Sequence, residues 1–404
     1  MDHSPSRGNG PAEAGSSLRS EMSLEFDVVV FSHLRWNWVY QRPQHLLTRL
    51  AKNHRVWYIE EPVGVDTDEQ WLDSEDVAPN VTVVRPHLRA EYPFFVGDQI
   101  PPLTRLITQW VAEHHIEPLA LWLYTPMALP VAQTFNPLAV AYDCMDNLAA
   151  FRFAPPELLE REAQLLRWAD VVFTGGPSLH RAKAGQHPNV HCFPSSIDVA
   201  HFHRSLQGDL QDPPDQAPIP HPRLGYFGVI DERLDYDLLG SVAQTRPDWQ
   251  IIMVGPFTKV DPDNLPHLPN IHYLGQRSYK DLPAYINGWD VALMPFALNE
   301  ATRYISPTKT LEYMAAGRAI VSTPIADVRE PYGDIVYIAD SPGAFIAACD
   351  QALNESPEKR RQQQQRREAI LTRTSWDDTA NRMHTLLDQA VQTRLLHPSR
   401  AGIH

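Results

Sequence analysis

Short uncharged runs alternate with amphipathic stretches in two series along this chain, and a proline-rich break separates the series. The first run, Phe26-Asp27-Val28-Val29-Val30-Phe31, is nearly continuous in apolar residues, as a strand covered on both faces must be. Further strand candidates fall at 54–59, 81–85, 119–124, 138–143, 171–174 and 190–194, with helical patterns at 41–51 and 157–169. In the latter, Leu158, Leu159, Leu165, Leu166 and Trp168 share one broad apolar side. Residues 205–223 carry Pro213, Pro214, Pro218, Pro220 and Pro222, a linker by composition. The second series places strands at 224–229, 249–254, 271–274, 291–295, 319–323 and 335–338. Strands alternating with helices imply right-handed crossovers and parallel sheets. The expectation is therefore α/β, with two doubly wound domains whose ligands bind at the carboxyl ends of the strands.

Length agrees, since 404 residues exceed what one compact core organises. The predicted boundaries are a disordered tail at 1–22, one domain at 23–205, the linker at 206–223 and a second domain at 224–374. A last helix follows near 375–392, apolar at Met383, Leu386, Leu387 and Ala390. A formal charge of −14 argues against general nucleic-acid binding, which needs a positive phosphate-contacting surface. Cys144, Cys192 and Cys349 lie far apart without metal-ligand spacing, so a reduced compartment without disulfides is expected. No secretory signal is visible, and the uncharged stretch 118–142 is broken by Pro118, Pro126, Pro130 and Pro137. These features predict a cytoplasmic protein. The basic run within 356–373 reads as a solvated helix face, with contact to the inner face of a membrane as the second reading.

The densest chemical signal is Ser306-Pro307-Thr308-Lys309-Thr310-Leu311-Glu312-Tyr313-Met314-Ala315-Ala316-Gly317. Ser306 suits an N-cap, Pro307 the first helical position and Gly317 a left-handed C-cap. Free N–H groups of the turn formed by Ser306, Thr308, Lys309 and Thr310 favour an anion, and Lys309 adds a full charge. Glu312 follows one turn later, within reach of a sugar or ribose hydroxyl. An ordinary capped helix before a buried strand accounts for the same residues. Gly228, Gly255 and Gly275 each end a strand, where glycine permits close backbone approach. Arg233 can clamp phosphate oxygens through its planar fork, or pair with Asp235 or Asp237 at the surface.

Just past a first-series strand lie Asp143 and Asp146. Asp146 can orient or deprotonate an acceptor hydroxyl, and Asp143 can cap a helix or support its neighbour. Nothing offers a strong metal site. The Asp66/Asp68, Asp235/Asp237 and Asp261/Asp263 pairs read as solvated carboxylates, with no His or Cys cluster beside them.

The order Tyr226-Phe227-Gly228, Val254-Gly255-Pro256, Tyr273-Leu274-Gly275, Asp290 to Phe296 and Leu311 to Gly317 resembles the nucleotide-sugar domain of retaining glycosyltransferases with the GT-B fold, the "group 1" or fourth family. The resemblance spans roughly 224–338 and implies two Rossmann-like domains facing a cleft, with the last helix crossing back to the first domain. It implies that Arg233 and Lys309 neutralise a donor diphosphate and that Glu312 binds the donor ribose. The family usually shows two glutamates separated by seven residues. Here the first position is Tyr304, and the preceding carboxylate, Glu300, comes four residues too early, so either a rearranged loop lets Glu300 or a backbone group make that donor contact or donor handling differs.

The segment Ser32 to Leu46 resembles a bacterial subgroup acting in teichuronic-acid and exopolysaccharide assembly, without the glycine pair most relatives carry in this loop. His33 becomes a site candidate beside Asp146 and Asp143. Arg35, Trp36 and Arg42 become acceptor-side candidates, although Trp36 can equally pack the loop onto the core. The implied activity moves a hexose-type unit from a nucleoside-diphosphate sugar to a glycan or lipid-linked acceptor, with retention and with no metal or other cofactor. Two rivals stay open, a nucleotide-sugar epimerase on the same scaffold and a non-catalytic sugar-nucleotide-binding subunit. A dinucleotide oxidoreductase is disfavoured, because the first strand's loop lacks the glycine fingerprint.

Overall fold

A computed structural model describes residues 24–89, 95–208 and 210–397; the expected tail at 1–22 lies outside them. The first domain contains β1 (Asp27–Ser32), β2 (Val56–Glu60), β3 (Val63–Gly64), β4 (Trp71–Ala78), β5 (Val81–Leu88), β6 (Leu119–Leu123), β7 (Val140–Cys144), β8 (Val171–Thr174) and β9 (Val190–Cys192). They form one sheet in the order β3-β5-β2-β1-β6-β7-β8-β9, with β4 paired to β5. Every pairing is parallel except β4 with β5. The second domain contains β10 (Arg223–Phe227), β11 (Gln250–Val254), β12 (Ile271–Gly275), β13 (Val291–Met294), β14 (Ala319–Ser322) and β15 (Tyr337–Ile338). Its order is β12-β11-β10-β13-β14-β15, parallel throughout.

In both sheets the strand order reverses at the first strand, between β1 and β6 and between β10 and β13. Crossover helices diverge to opposite faces there and leave a crevice beyond the carboxyl ends of the strands. The two crevices meet in one interdomain gap. β1, β6 and β7 are fully buried along their length, which is why each reads as an apolar run. β4 was not expected. It carries Asp73, Glu75 and Asp76 and turns back through Asn80 at φ 57 to pair antiparallel with β5. Its carboxylates suit an edge, and Arg85 on β5 binds Asp73 and Glu75 across the pair.

The proline-rich segment is not loose. Gln216 is buried, donating to Tyr285 O and accepting from Trp289 Nε1, and Arg223 pairs with Asp212. The last helix runs Trp376–Leu396 and crosses back: Trp376, Met383, Leu387, Ala390 and Val391 join the core of the first domain. Trp376 stacks on His45 at 4.6 Å, fastening the crossing helix to the Arg42–Leu50 helix.

Arg42 and Asp143 hold these pieces together and are not free for substrate. The guanidinium donates to both Asp143 oxygens at 2.8–3.2 Å and to Phe193 O at 2.7 Å, and its Nη2 lies 3.8 Å from Met383 Sδ. Both side chains are essentially inaccessible, at 1% and 0%. Arg42 borders the interdomain cavity, but its charge is taken up by Asp143, which supports it rather than standing free: each satisfies the other's buried charge. Arg42→Met leaves Asp143 as an unpaired buried carboxylate, so urea unfolding should show a loss of about 3–5 kcal/mol. Adding Asp143→Leu should recover much of that loss.

Candidate active site

A cavity of about 860 Å³ fills the interdomain gap. Its second-domain wall begins where β10 and β11 end. Gly228 has φ +136 and Gly255 φ +154, conformations that side chains rarely allow. A Cβ on Gly255 would lie 1.8 Å from Gly228 O, and one on Gly228 would lie 2.2 Å from Lys309 Cε. The glycines thus let two strand ends close up and leave room for the lysine.

Ser306, Thr308, Lys309 and Glu312 all line the cavity. The helix itself is shorter than expected. It spans Lys309–Ala315 with Thr308 at the N-cap, because Thr310 N and Leu311 N bond back to Pro307 O and Thr308 O in a tighter first turn. Ser306 therefore does not cap it. At the other end Gly317 has φ +68, and Gly317 N and Arg318 N bond to Met314 O and Tyr313 O. That closure is the left-handed ending expected. Thr310 turns inward, its hydroxyl donating to Met294 Sδ at 3.5 Å, and does not reach the cavity.

Lys309 has no hydrogen bond or ion pair among the described residues; its Nζ lies 5.7 Å from the Tyr226 ring centroid. Burial lowers its pKa, opposed by the nearby Glu312 carboxylate. Glu312 likewise has no side-chain hydrogen bond, and burial pushes its pKa up to about 7, partly offset by Lys309. Arg233 does not pair with Asp235 or Asp237. It binds Asp231 through Nε and Nη2 at 2.7–3.0 Å, leaving Nη1 without a protein partner among the described residues. Burial opposes its charge, but Asp231 and then Asp146 raise its pKa.

On the opposite wall Asp146 reaches the cavity. Burial lifts its carboxyl to about 6, opposed by Arg233 and reinforced by Asp231. The structure thus brings Asp146, Arg233, Lys309 and Glu312 to one cavity from regions far apart in sequence. Trp36 lines it only marginally: it is 8% exposed, packs edge-on against Tyr58 at 5.0 Å and belongs to the core. Arg35 lies outside the cavity, bound to Glu60 and to the carbonyls of Glu61 and Pro62. His33 is also outside the lining. Burial lowers its pKa to about 4, and its Nδ1 is buried without a partner. Glu300 is 75% exposed and faces Arg303, so it does not replace the missing glutamate.

Tyr304, at that glutamate position, packs instead against the first domain's core. Sequence reasoning missed Asp231, which holds Arg233, and the clasp formed by Tyr40 stacked on Tyr279 at 4.9 Å across the gap. The first left a usable signal, an Asp two residues before an Arg after a strand. The second left none.

Two doubly wound domains facing a cleft constitute a GT-B architecture, and structures of that kind superpose over most of the chain. Sucrose-phosphate synthase from Thermosynechococcus elongatus matches with a TM-score of 0.70 at 14% identity, covering 91% of this chain and all of that one. The E. coli trehalose-6-phosphate structure bound with UDP-2-fluoro glucose matches at 0.65 and 15% identity, covering 90% and 99%. Residues 221–355 match the family described as glycosyl transferases group 1. The putative teichuronic acid biosynthesis glycosyltransferase TuaH of Bacillus subtilis is 25% identical over 288 residues, 66% of this chain and 70% of that protein. Residues 221–355 thus resemble a group 1 glycosyltransferase domain, within a chain similar to a glycosyltransferase over two thirds of its length. These likenesses do not favour the epimerase or the non-catalytic subunit.

Glu312 makes the cleft sensitive to pH. The folded state keeps its proton to about pH 7, higher than the unfolded chain does, so this group's contribution makes stability fall as pH rises toward 7. Glu312→Gln should raise the melting temperature most above about pH 7 and flatten that slope, as thermal unfolding across pH will show.

Proposed function

We propose that this enzyme transfers a sugar from a nucleoside-diphosphate sugar to a hydroxyl of a glycan or lipid-linked acceptor, in the synthesis of a cell-surface polysaccharide. The observation that carries the reading is Lys309: a half-buried ammonium with no hydrogen bond or ion pair among the described residues, set against the glycine strand end at Gly228 in a cleft sized for a nucleotide sugar. A diphosphate supplies the missing charge. Arg233, steadied by Asp231, offers Nη1 to the same group, and Glu312 faces the ribose hydroxyls.

In this reading the bond between the anomeric carbon and the diphosphate oxygen breaks, and the leaving diphosphate keeps the electron pair. Lys309 and Arg233 absorb its growing charge, so the protein supplies electrostatic stabilisation without a divalent metal or other cofactor. The acceptor oxygen forms the new bond, and its proton passes to Asp146 or to the departing phosphate. The retained configuration follows from the family likeness. The tie to cell-surface polymers follows from the teichuronic-acid relative. Among the described residues no helix is long and apolar enough to cross a membrane. The proposed setting is the cytoplasm, where exposed Arg360, Arg361 and Arg366 on the Pro357–Leu371 helix can meet an anionic lipid surface.

Lys309→Ala should weaken donor and free nucleoside-diphosphate binding alike by about 1.5–3 kcal/mol in calorimetry. Unchanged affinity removes the phosphate role. Asp146→Asn should depress turnover while leaving donor affinity nearly intact. In the wild type, kcat/KM should decline as pH falls through about 6, where the Asp146 carboxyl takes up its proton. That acid limb should be missing in the variant, and a variant with full activity takes Asp146 out of the mechanism.

A further inference from the structure

Far from the cleft, the crossing helix meets the loop between the Arg42–Leu50 helix and β2. There three side chains converge: His54 from the loop, and His384 with Asp388 one turn apart on the helix. Their ligand atoms all lie within 4.8 Å of one another. His54 Nε2 is 2.8 Å from His384 Nε2, which is 3.4 Å from Asp388 Oδ2.

The proton inventory of this group is short. His54 Nδ1 lies 2.9 Å from Phe26 O, a carbonyl that can only accept, so Nδ1 carries the ring proton. The Nε2 of His54 therefore presents a bare lone pair toward His384. The Asp388 carboxylate is also a pure acceptor, and His384 Nε2 can bring at most one hydrogen. Three Lewis-basic atoms thus share one proton at best, and an imidazole fixed by a backbone carbonyl on its far nitrogen is the usual arrangement of a metal ligand.

We propose that His54, His384 and Asp388 bind a divalent transition-metal ion of the zinc class, which clamps the crossing helix to the first domain. Two imidazoles and one carboxylate suit zinc and its first-row neighbours; calcium and magnesium require more oxygen ligands. With metal–ligand bonds of about 2.0–2.1 Å, neighbouring ligands of a tetrahedral ion sit roughly 3.3 Å apart. The 3.4 Å edge fits already, and the 2.8 Å edge needs to open by about half an ångström. Asp388 is 45% exposed, so the fourth position opens to water. Contacts along the same seam show what the ion reinforces: Arg49 and Lys52 pair with Asp377, and Trp376 both stacks on His45 and lines the cleft. The site is thus a fastener for a helix whose first residue faces substrate.

Titrating the metal-stripped full chain with Co²⁺ tests the site directly. The expected result is one saturable site per chain with the intense visible bands of a low-symmetry cobalt centre, displaced by Zn²⁺, together with a higher melting temperature in Zn²⁺ but not in Mg²⁺ or Ca²⁺. Asp388→Asn, a change at a half-exposed position, should weaken binding by about tenfold or more, and His384→Gln with Asp388→Asn should abolish the bands. An octahedral weak spectrum in the wild type, no stoichiometric binding, or bands that persist in the double variant would each overturn the proposal. The wild-type spectrum decides the matter even if the variants fold poorly.

Discussion

A lysine ammonium partly removed from water without a hydrogen-bonded partner is costly, and the second domain is arranged to hold one at Lys309 among the described residues. Two glycines in conformations closed to other residues make the space, and the turn from Pro307 sets the side chain across β10. Glu312, the nearest acid in the helix, is itself raised by burial and does not hydrogen-bond to the lysine. The pair is left short of partners on both sides. That shortfall is what the proposed donor diphosphate would relieve.

Keeping two domains face to face across such a cleft requires contacts that do not fill it. The chain places them at the margins. Tyr304 occupies a sequence position where relatives carry a carboxylate, yet its ring packs onto the first domain's core. That position thus supplies a contact between the domains. Tyr40 stacks on Tyr279 at another edge, and Asp327 accepts from Ser178 N at 3.0 Å at a third. The crossing helix then ties the far end of the chain back to the first domain through Trp376 and Met383, beside the Arg42–Asp143 pair.

Legibility of the site divides along a physical line. Gly228, Gly255, Lys309, Glu312 and Arg233 were readable because a parallel strand's carboxyl end is a fixed place, and glycine, lysine and glutamate there have few other purposes. Thr310 was misjudged because the helix begins two residues later than a Ser306 cap would set it, and successive helical side chains point about 100° apart. Arg35, Arg42 and Asp143 looked like cleft residues, since nothing local reveals that a charge will be neutralised by a residue brought in from another strand. β4 escaped notice because its alternation is acidic rather than apolar, as befits an edge. The His54–His384 contact spans 330 positions and leaves no trace in spacing.

By itself the sequence determined the alternation of strand and helix, the division into two parallel-sheet domains and the glycine and lysine positions at the strand ends. Each of these is set by local periodicity or by backbone conformations a few residues long. Only the tertiary structure decided which charges stand free in the cleft and which cancel in the core, because that depends on distances between segments separated by a hundred residues or more. Asp143 and Asp146 stand three residues apart on one loop. One lies dry against Arg42 and the other faces the cavity, and only the packing around them draws that distinction.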